Sequence, residues 1–173
     1  MTDTAARPAR PFDLSPPLRM LVMAAGGTMT LLALFTIAKV GVGVVPRYYV
    51  LKDMAVLTHL STVIPALPLG LYLLLARKGT PRHRALGKLW LTLMVTAAMS
   101  ALFIRQLNHG SFSFIHLFVP FTLIVVWRAI ASARAGNIRA HRRHVVGLYL
   151  GALIIPGIFA MMPGRLMGAW LFG

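Results

Sequence analysis

The sequence predicts an all-α fold: a polytopic membrane helical bundle of about five transmembrane helices, with helices 2–3 and 4–5 as an internal repeat. Three observations predict it. The 173 residues are 58% apolar and only 12% charged, whereas soluble domains carry about a quarter charged residues. Apolar runs close to the roughly 20 residues that span hydrocarbon recur along the chain. A histidine pattern also occurs twice. His59-Leu60 is followed by Ala76-Arg77-Lys78-Gly79 and His83-Arg84, and His116-Leu117 by Ala133-Arg134-Ala135-Gly136 and His141-Arg142.

Residues 1–18 are polar and carry Pro8, Pro11, Pro16 and Pro17, so they read as a tail ahead of a single transmembrane domain over 19–173. The first apolar run, about 19–40, is too long for a signal-peptide core and lacks a small-x-small cleavage site, which predicts an uncleaved helix. Further helices are predicted over about 54–76, 86–106, 112–133 and 144–164. Pro65 and Pro68 are expected to kink the second helix and Pro120 the fourth. Helix 1 lies outside the repeat and is expected to pack peripherally.

Charge sets the expected orientation. With 18 Lys and Arg against three acids, the net charge is +15. The bases crowd into the tail, the 77–88 loop and the 128–143 region, which hold 13 of them, against five on the other side. The positive-inside rule then predicts a cytoplasmic N-terminus and an outside C-terminus in the cell (inner) membrane. It also explains the basicity without nucleic acid as a partner. Membrane lipids are the expected surroundings.

Composition excludes several chemistries. The absence of cysteine removes disulfides, iron–sulfur clusters, cysteine–zinc sites and thioether-linked haem. The only acids, Asp3, Asp13 and Asp53, lie outside the middles of the apolar runs. That speaks against membrane-embedded proton relays and paired-carboxylate catalysis.

The histidines point to haem b. His59 and His83 are 24 residues apart, His116 and His141 are 25. In hairpins of the same sense, His59 pairs by level with His116 near the outer face, and His83 with His141 near the cytoplasmic face. The levels are separated by roughly 20–27 Å from the helical rise. Haem b is held through its axial ligands alone, and neutral imidazole is such a ligand. One haem or two, at these levels, would carry electrons across a bilayer. Thr62, Val63, Ala66 and Gly70 follow His59 at helical spacing, and Gly87 follows His83; these small residues leave room for a ring, or for close helix packing. Arg82, Arg84 and Arg142 are candidates to pair propionates or an anionic donor, or are topology signals. Trp90 and Tyr149 line a haem edge or belong to an aromatic belt. His144 lies one turn beyond His141 with Gly147 and Gly151 on its face, so the fourth ligand is His141 or His144. His109 falls in the outer loop as a bystander, and the methionines Met161, Met162 and Met167 read as packing residues.

The segments Thr58-His59-Leu60, Lys78-Gly79-Thr80, His83-Arg84-Ala85-Leu86-Gly87, Ile115-His116-Leu117, the stretch from Ala133 to His144 and Pro163-Gly164-Arg165 resemble the bacterial membrane-protein family DUF2306, from about Ala55 to Gly173. The resemblance implies a small helical bundle, and its AHRR element favours His141 over His144. The placement of histidines on helices 2 with 4 and 3 with 5 is also similar to the transmembrane diheme cytochrome b reductases. The resulting expectation is an integral membrane b-type cytochrome. His59 and His116 hold one haem, His83 and His141 or His144 a second, and a quinone or small reductant or a membrane partner protein exchanges electrons with it. The alternative is a haem-free small transporter or accessory subunit whose basic loops bind lipid or a partner.

Overall fold

The computed structural model describes residues 14–44, 53–105 and 111–173. His109 and the greater part of the tail lie outside the described residues. Among those described, all regular structure is helical.

Helix α1 (Pro16–Gly41) starts at the Pro16-Pro17 pair, where a missing N–H costs no hydrogen bond. Its buried residues Val22, Gly26, Met29, Ala33, Thr36 and Val40 recur every three or four positions, which draws one stripe along the helix. Leu31, Leu34 and Phe35 on the other side are exposed. An apolar outer face of this kind belongs in lipid. α1 packs against α2 (Met54–Leu75) and against the last helix of the chain. It is therefore built into the bundle rather than peripheral to it.

Asp53 starts α2 by accepting from the Ala55 and Val56 backbone N–H groups. Pro65 and Pro68 both lie inside this helix. α3 (Pro81–Ala101) begins five residues earlier than the apolar run suggests, because Thr80 accepts from the His83 N–H and Pro81 takes the first helical position. It ends at Ala101 rather than near 106. A four-residue 3₁₀ turn (Phe114–Leu117) leads into α4 (Phe118–Arg134). Pro120 thus falls in the first turn of α4, where its ring interrupts no established ladder.

The last transmembrane segment is composite. α5 (Ile138–Gly147) is capped by Asn137 and passes into a π-helical stretch (Leu148–Ile154), then α6 (Ile155–Ala160). A short α7 (Leu166–Phe172) follows a turn at Gly164. The widened register precedes Pro156, which cannot donate a backbone hydrogen bond. Four helical segments are long and apolar enough to cross a membrane: Pro16–Gly41, Met54–Leu75, Phe114–Arg134 and Ile138–Ala160. α3 matches them in length, with 21 residues, but its first half carries Arg82, His83, Arg84 and Lys88.

α2 pairs with α3, and α4 with α5, more extensively than any other elements. The two hairpin connections are built alike. Gly79 and Gly136 both adopt positive φ, 79° and 69°, and each is followed by a capping residue, Thr80 or Asn137. The left-handed backbone needs glycine there. The middle of the bundle is sealed by Trp90 and Tyr149, both fully buried. Trp90 Nε1 donates to the Ala66 carbonyl (2.9 Å) and the Tyr149 hydroxyl to the Leu67 carbonyl (3.2 Å), so two helices grip one turn of α2.

Candidate functional site

The four repeated histidines fall at the two ends of the bundle. The His59 end contains the start of α2, the end of α3, the turn before α4, and α6 with α7. The His83 end contains the starts of α3 and α5.

At the first end His59 and His116 line one cavity of about 290 Å³. Its walls are apolar: Val56, Leu60 and Val63 from α2, Met94, Ala97 and Ala98 from α3, Val119 and Thr122 from α4, and Ala152, Pro156 and Met167 from the C-terminal segments. The volume falls just below the range of roughly 300–1,000 Å³ seen for ligand pockets. The π-helical stretch and Pro156 contribute the wall facing α2 and α3. Regular helix would place different side chains there.

The two imidazoles are held differently. His59 Nδ1 donates to the Ala97 carbonyl at 2.9 Å, with the Ser100 hydroxyl at 3.4 Å. In a neutral ring that bond fixes the proton on Nδ1 and leaves Nε2 with its lone pair. His116 belongs to the 3₁₀ turn ahead of α4, not to the helix itself. Its Nδ1 meets both a donor, the Ser113 N–H at 3.0 Å, and an acceptor, the Ser113 carbonyl oxygen at 3.2 Å. The Ser113 N–H can only donate, so the shorter contact favours a proton on Nε2; the other tautomer turns Nδ1–H to the Ser113 carbonyl. The His116 Nε2 is buried without a hydrogen-bond partner. An orphaned ring nitrogen is costly unless something occupies the site. Phe112 stands edge-on to this ring, with centroids 5.0 Å apart.

At the other end His83 and His141 lie inside helices, as the third residue of α3 and the fourth of α5. The apolar runs alone put them just before those helices; the Thr80 and Asn137 caps extend the helices to include them. His141 Nδ1 donates to the Ala129 carbonyl at 2.9 Å, the same device that orients His59. His83 Nδ1 is buried without a partner. Burial first, then the positive charges of Lys78 and His141, hold His83 below the usual imidazole range. His83 and His141 are thus within electrostatic reach of each other. His144 is partly buried one turn further along α5.

The arginines named from the sequence disperse. Arg84 reaches the Gly79 carbonyl at 3.3 Å, and Arg82 lies over the Tyr72 ring, 5.6 Å from its centroid. Arg142 lines a second cavity of about 280 Å³ with Arg139, Arg143, Leu14, Ser15 and Leu18.

Two expectations change. Trp90 and Tyr149 line neither cavity; they fill the core between the histidine levels. Gly70 does make room for a ring, but the rings are those two. A Cβ at Gly70 would sit 2.7 Å from Trp90 Nε1 and from the Tyr149 ring. Gly151 similarly accommodates Phe121, whereas Gly87 and Gly147 face open space. The sequence reading also missed Arg165, which lines the His59–His116 cavity. Its position right after Pro163-Gly164 was the available signal.

Among the described residues no three of His, Asp and Glu gather as a bare metal ion would require. A porphyrin asks only for axial ligands, and the orphaned His116 Nε2 beside a preoriented His59 fits that demand. The family of predicted membrane proteins DUF2306 matches residues 56–169, a span that takes in both histidine pairs. No curated protein and no solved structure matches the chain.

Proposed function

The chain belongs to the DUF2306 family of predicted membrane proteins, and from that premise we propose that it is a b-type cytochrome of the cell's inner membrane that moves electrons across the bilayer. The observation that carries the reading is the pair of imidazoles on one apolar cavity, His59 oriented by the Ala97 carbonyl and His116 with a buried, unsatisfied Nε2. Haem b bound there would supply one-electron redox chemistry. His59 and His116 would hold it as neutral ligands, and the Ser113 carbonyl oxygen would accept a hydrogen bond from the Nδ1–H that ligation through Nε2 requires on His116. The aliphatic walls exclude water. His83 with His141, or His144 in its place, forms the inner site, and Arg82, Arg84 and Arg142 attract propionates or an anionic donor. The base-rich end faces the cytoplasm. A quinol or soluble reductant supplies electrons there, and a metal ion, quinone or partner protein receives them outside.

A second reading has its own support. The cavity lined by Arg139, Arg142 and Arg143 beside the start of α1 suits an anionic lipid headgroup or an acidic partner segment. It favours a haem-free transporter or accessory subunit. A reduced-minus-oxidised spectrum of the detergent-purified protein separates the two. Sharp b-type bands are expected. A colourless protein that also refuses added haemin would overturn the cytochrome.

A further inference from the structure

Arg165 sits where the charge pattern of the chain does not call for a base. Thirteen of the 18 Lys and Arg residues fall in the tail and the two base-rich loops. Arg165 is at the opposite end, on the wall of the cavity that His59 and His116 share. Topology alone selects against a base on that side. Among the described residues no other Lys or Arg lines this cavity, and no acid does.

The local backbone is built to hold it there. Gly164 adopts φ +80°, which turns the chain after α6. Arg165 then takes the position ahead of the first residue of α7, and its carbonyl accepts from the Ala169 N–H at 2.7 Å. Gly168 fits against the Met162 carbonyl with no space for a side chain, so the turn is closed tightly on itself. α7 packs against α1, buries Met167 and Trp170, and is tied to α1 by Lys39 Nζ donating to the Leu171 carbonyl at 3.2 Å. Only the backbone of Arg165 is engaged. Arg165 is partly buried as a residue, and its guanidinium makes no hydrogen bond or ion pair among the described residues. Asp53, the only acid among the described residues, is occupied in capping α2.

A guanidinium offers five donors and no acceptor, and one on an apolar cavity wall with no protein partner is suited to receive an anion. Planar, bidentate recognition matches a carboxylate. We infer that Arg165 anchors a carboxylate of the ligand in the His59–His116 cavity, so that this end of the bundle takes an apolar ring system bearing an acid group. The inference rests on the cytochrome reading, in which that acid is a haem propionate. The other source of a matching anion is a lipid headgroup.

The test is a chemical cycle on the full chain in a neutral detergent. Stripped wild type and Arg165→Gln are titrated with haemin and with haemin dimethyl ester, whose propionates carry no charge, while the Soret band is followed. Haemin affinity is expected to fall roughly tenfold or more in Arg165→Gln, the usual scale for losing a charge-assisted hydrogen bond. Ester affinity is expected to be the same in both proteins, and Arg165→Lys to recover part of the loss for haemin. Equal losses for haemin and ester would overturn the anchor, since Arg165 would then act through the turn. So would unchanged haemin affinity in Arg165→Gln, and so would a loss that appears only when anionic lipid is added back, which would assign Arg165 to headgroups. If wild type binds neither compound, the cytochrome reading fails and takes the anchor with it. Binding of both with no difference between wild type and variant removes only the anchor.

Discussion

The two ends of the bundle take the same histidine spacing and make different environments from it. At the His59 end, two imidazoles share an apolar cavity on which Arg165 is the one Lys or Arg among the described residues. At the His83 end, two imidazoles stand at helix starts in a base-rich stretch of the chain, and burial first, then Lys78 and His141, lower the affinity of His83 for a proton. Spacing thus sets the depth of a histidine, while its surroundings set what it can do. The shared feature is orientation. In each hairpin one imidazole donates Nδ1–H to a carbonyl of its partner helix, His59 to Ala97 and His141 to Ala129. That leaves Nε2 available in both.

The largest expected effect is at the cavity end. Replacing an oriented outer partner of a ligand commonly costs 10–100-fold in metal affinity, so removing the ligand itself should cost at least about 100-fold. On the cytochrome proposal, His59→Ala and His116→Ala are each expected to lose the haem of the cavity end while that of the His83 end stays, halving the haem content measured by pyridine haemochrome assay. Full haem content in either variant would remove the outer site.

The inner end is sharpened by one pair of variants. His141 has the carbonyl partner and His144 does not, among the described residues. His141→Ala is therefore expected to halve the haem content and His144→Ala to preserve it. The reverse outcome would move the ligand one turn along α5.

Gly70 lies between the ends, so a change there should affect both alike. Gly70→Ala drives a methyl group to 2.7 Å from Trp90 and Tyr149, neither of which has free space to retreat into. Overpacking of this kind costs about 1–3 kcal/mol. A lower apparent Tm, with both haems lost in parallel on heating, is the expected reading; selective loss from one end would show that the ends are not joined through this cluster.

Much of the fold was legible because the bilayer demands it. Apolar runs of span length locate helices, and the repeated Ala-Arg-x-Gly connections locate the hairpins. Helix starts were read less well, since the apolar runs at 86 and 144 begin nearly two turns after the caps at Thr80 and Asn137. That difference brings His83 and His141 inside their helices, while the 3₁₀ turn keeps His116 outside α4. The His59–His116 pairing followed from the repeat. The remaining walls did not, because α6 and α7 reach the cavity only through tertiary packing. Nor does helical spacing say what fills the space beside a small residue. It placed Gly70 on the right face, yet the rings it admits are the protein's own.

The smallest effect tests how His59 is held. Its Nδ1 has two neighbours, the Ala97 carbonyl at 2.9 Å and the Ser100 hydroxyl at 3.4 Å, and Ser100 itself donates to the same carbonyl at 3.0 Å. The longer contact lies outside good hydrogen-bond geometry and adds little. A neutral hydrogen bond is worth about 0.5–1.5 kcal/mol net, and here only a marginal one is removed. Ser100→Ala should therefore shift outer-haem affinity by less than about threefold. The carbonyl, released from the serine, remains to hold the imidazole. A loss as large as that of His59→Ala would mean that Ser100 and not the backbone orients the ring, and the likeness between His59 and His141 would no longer hold.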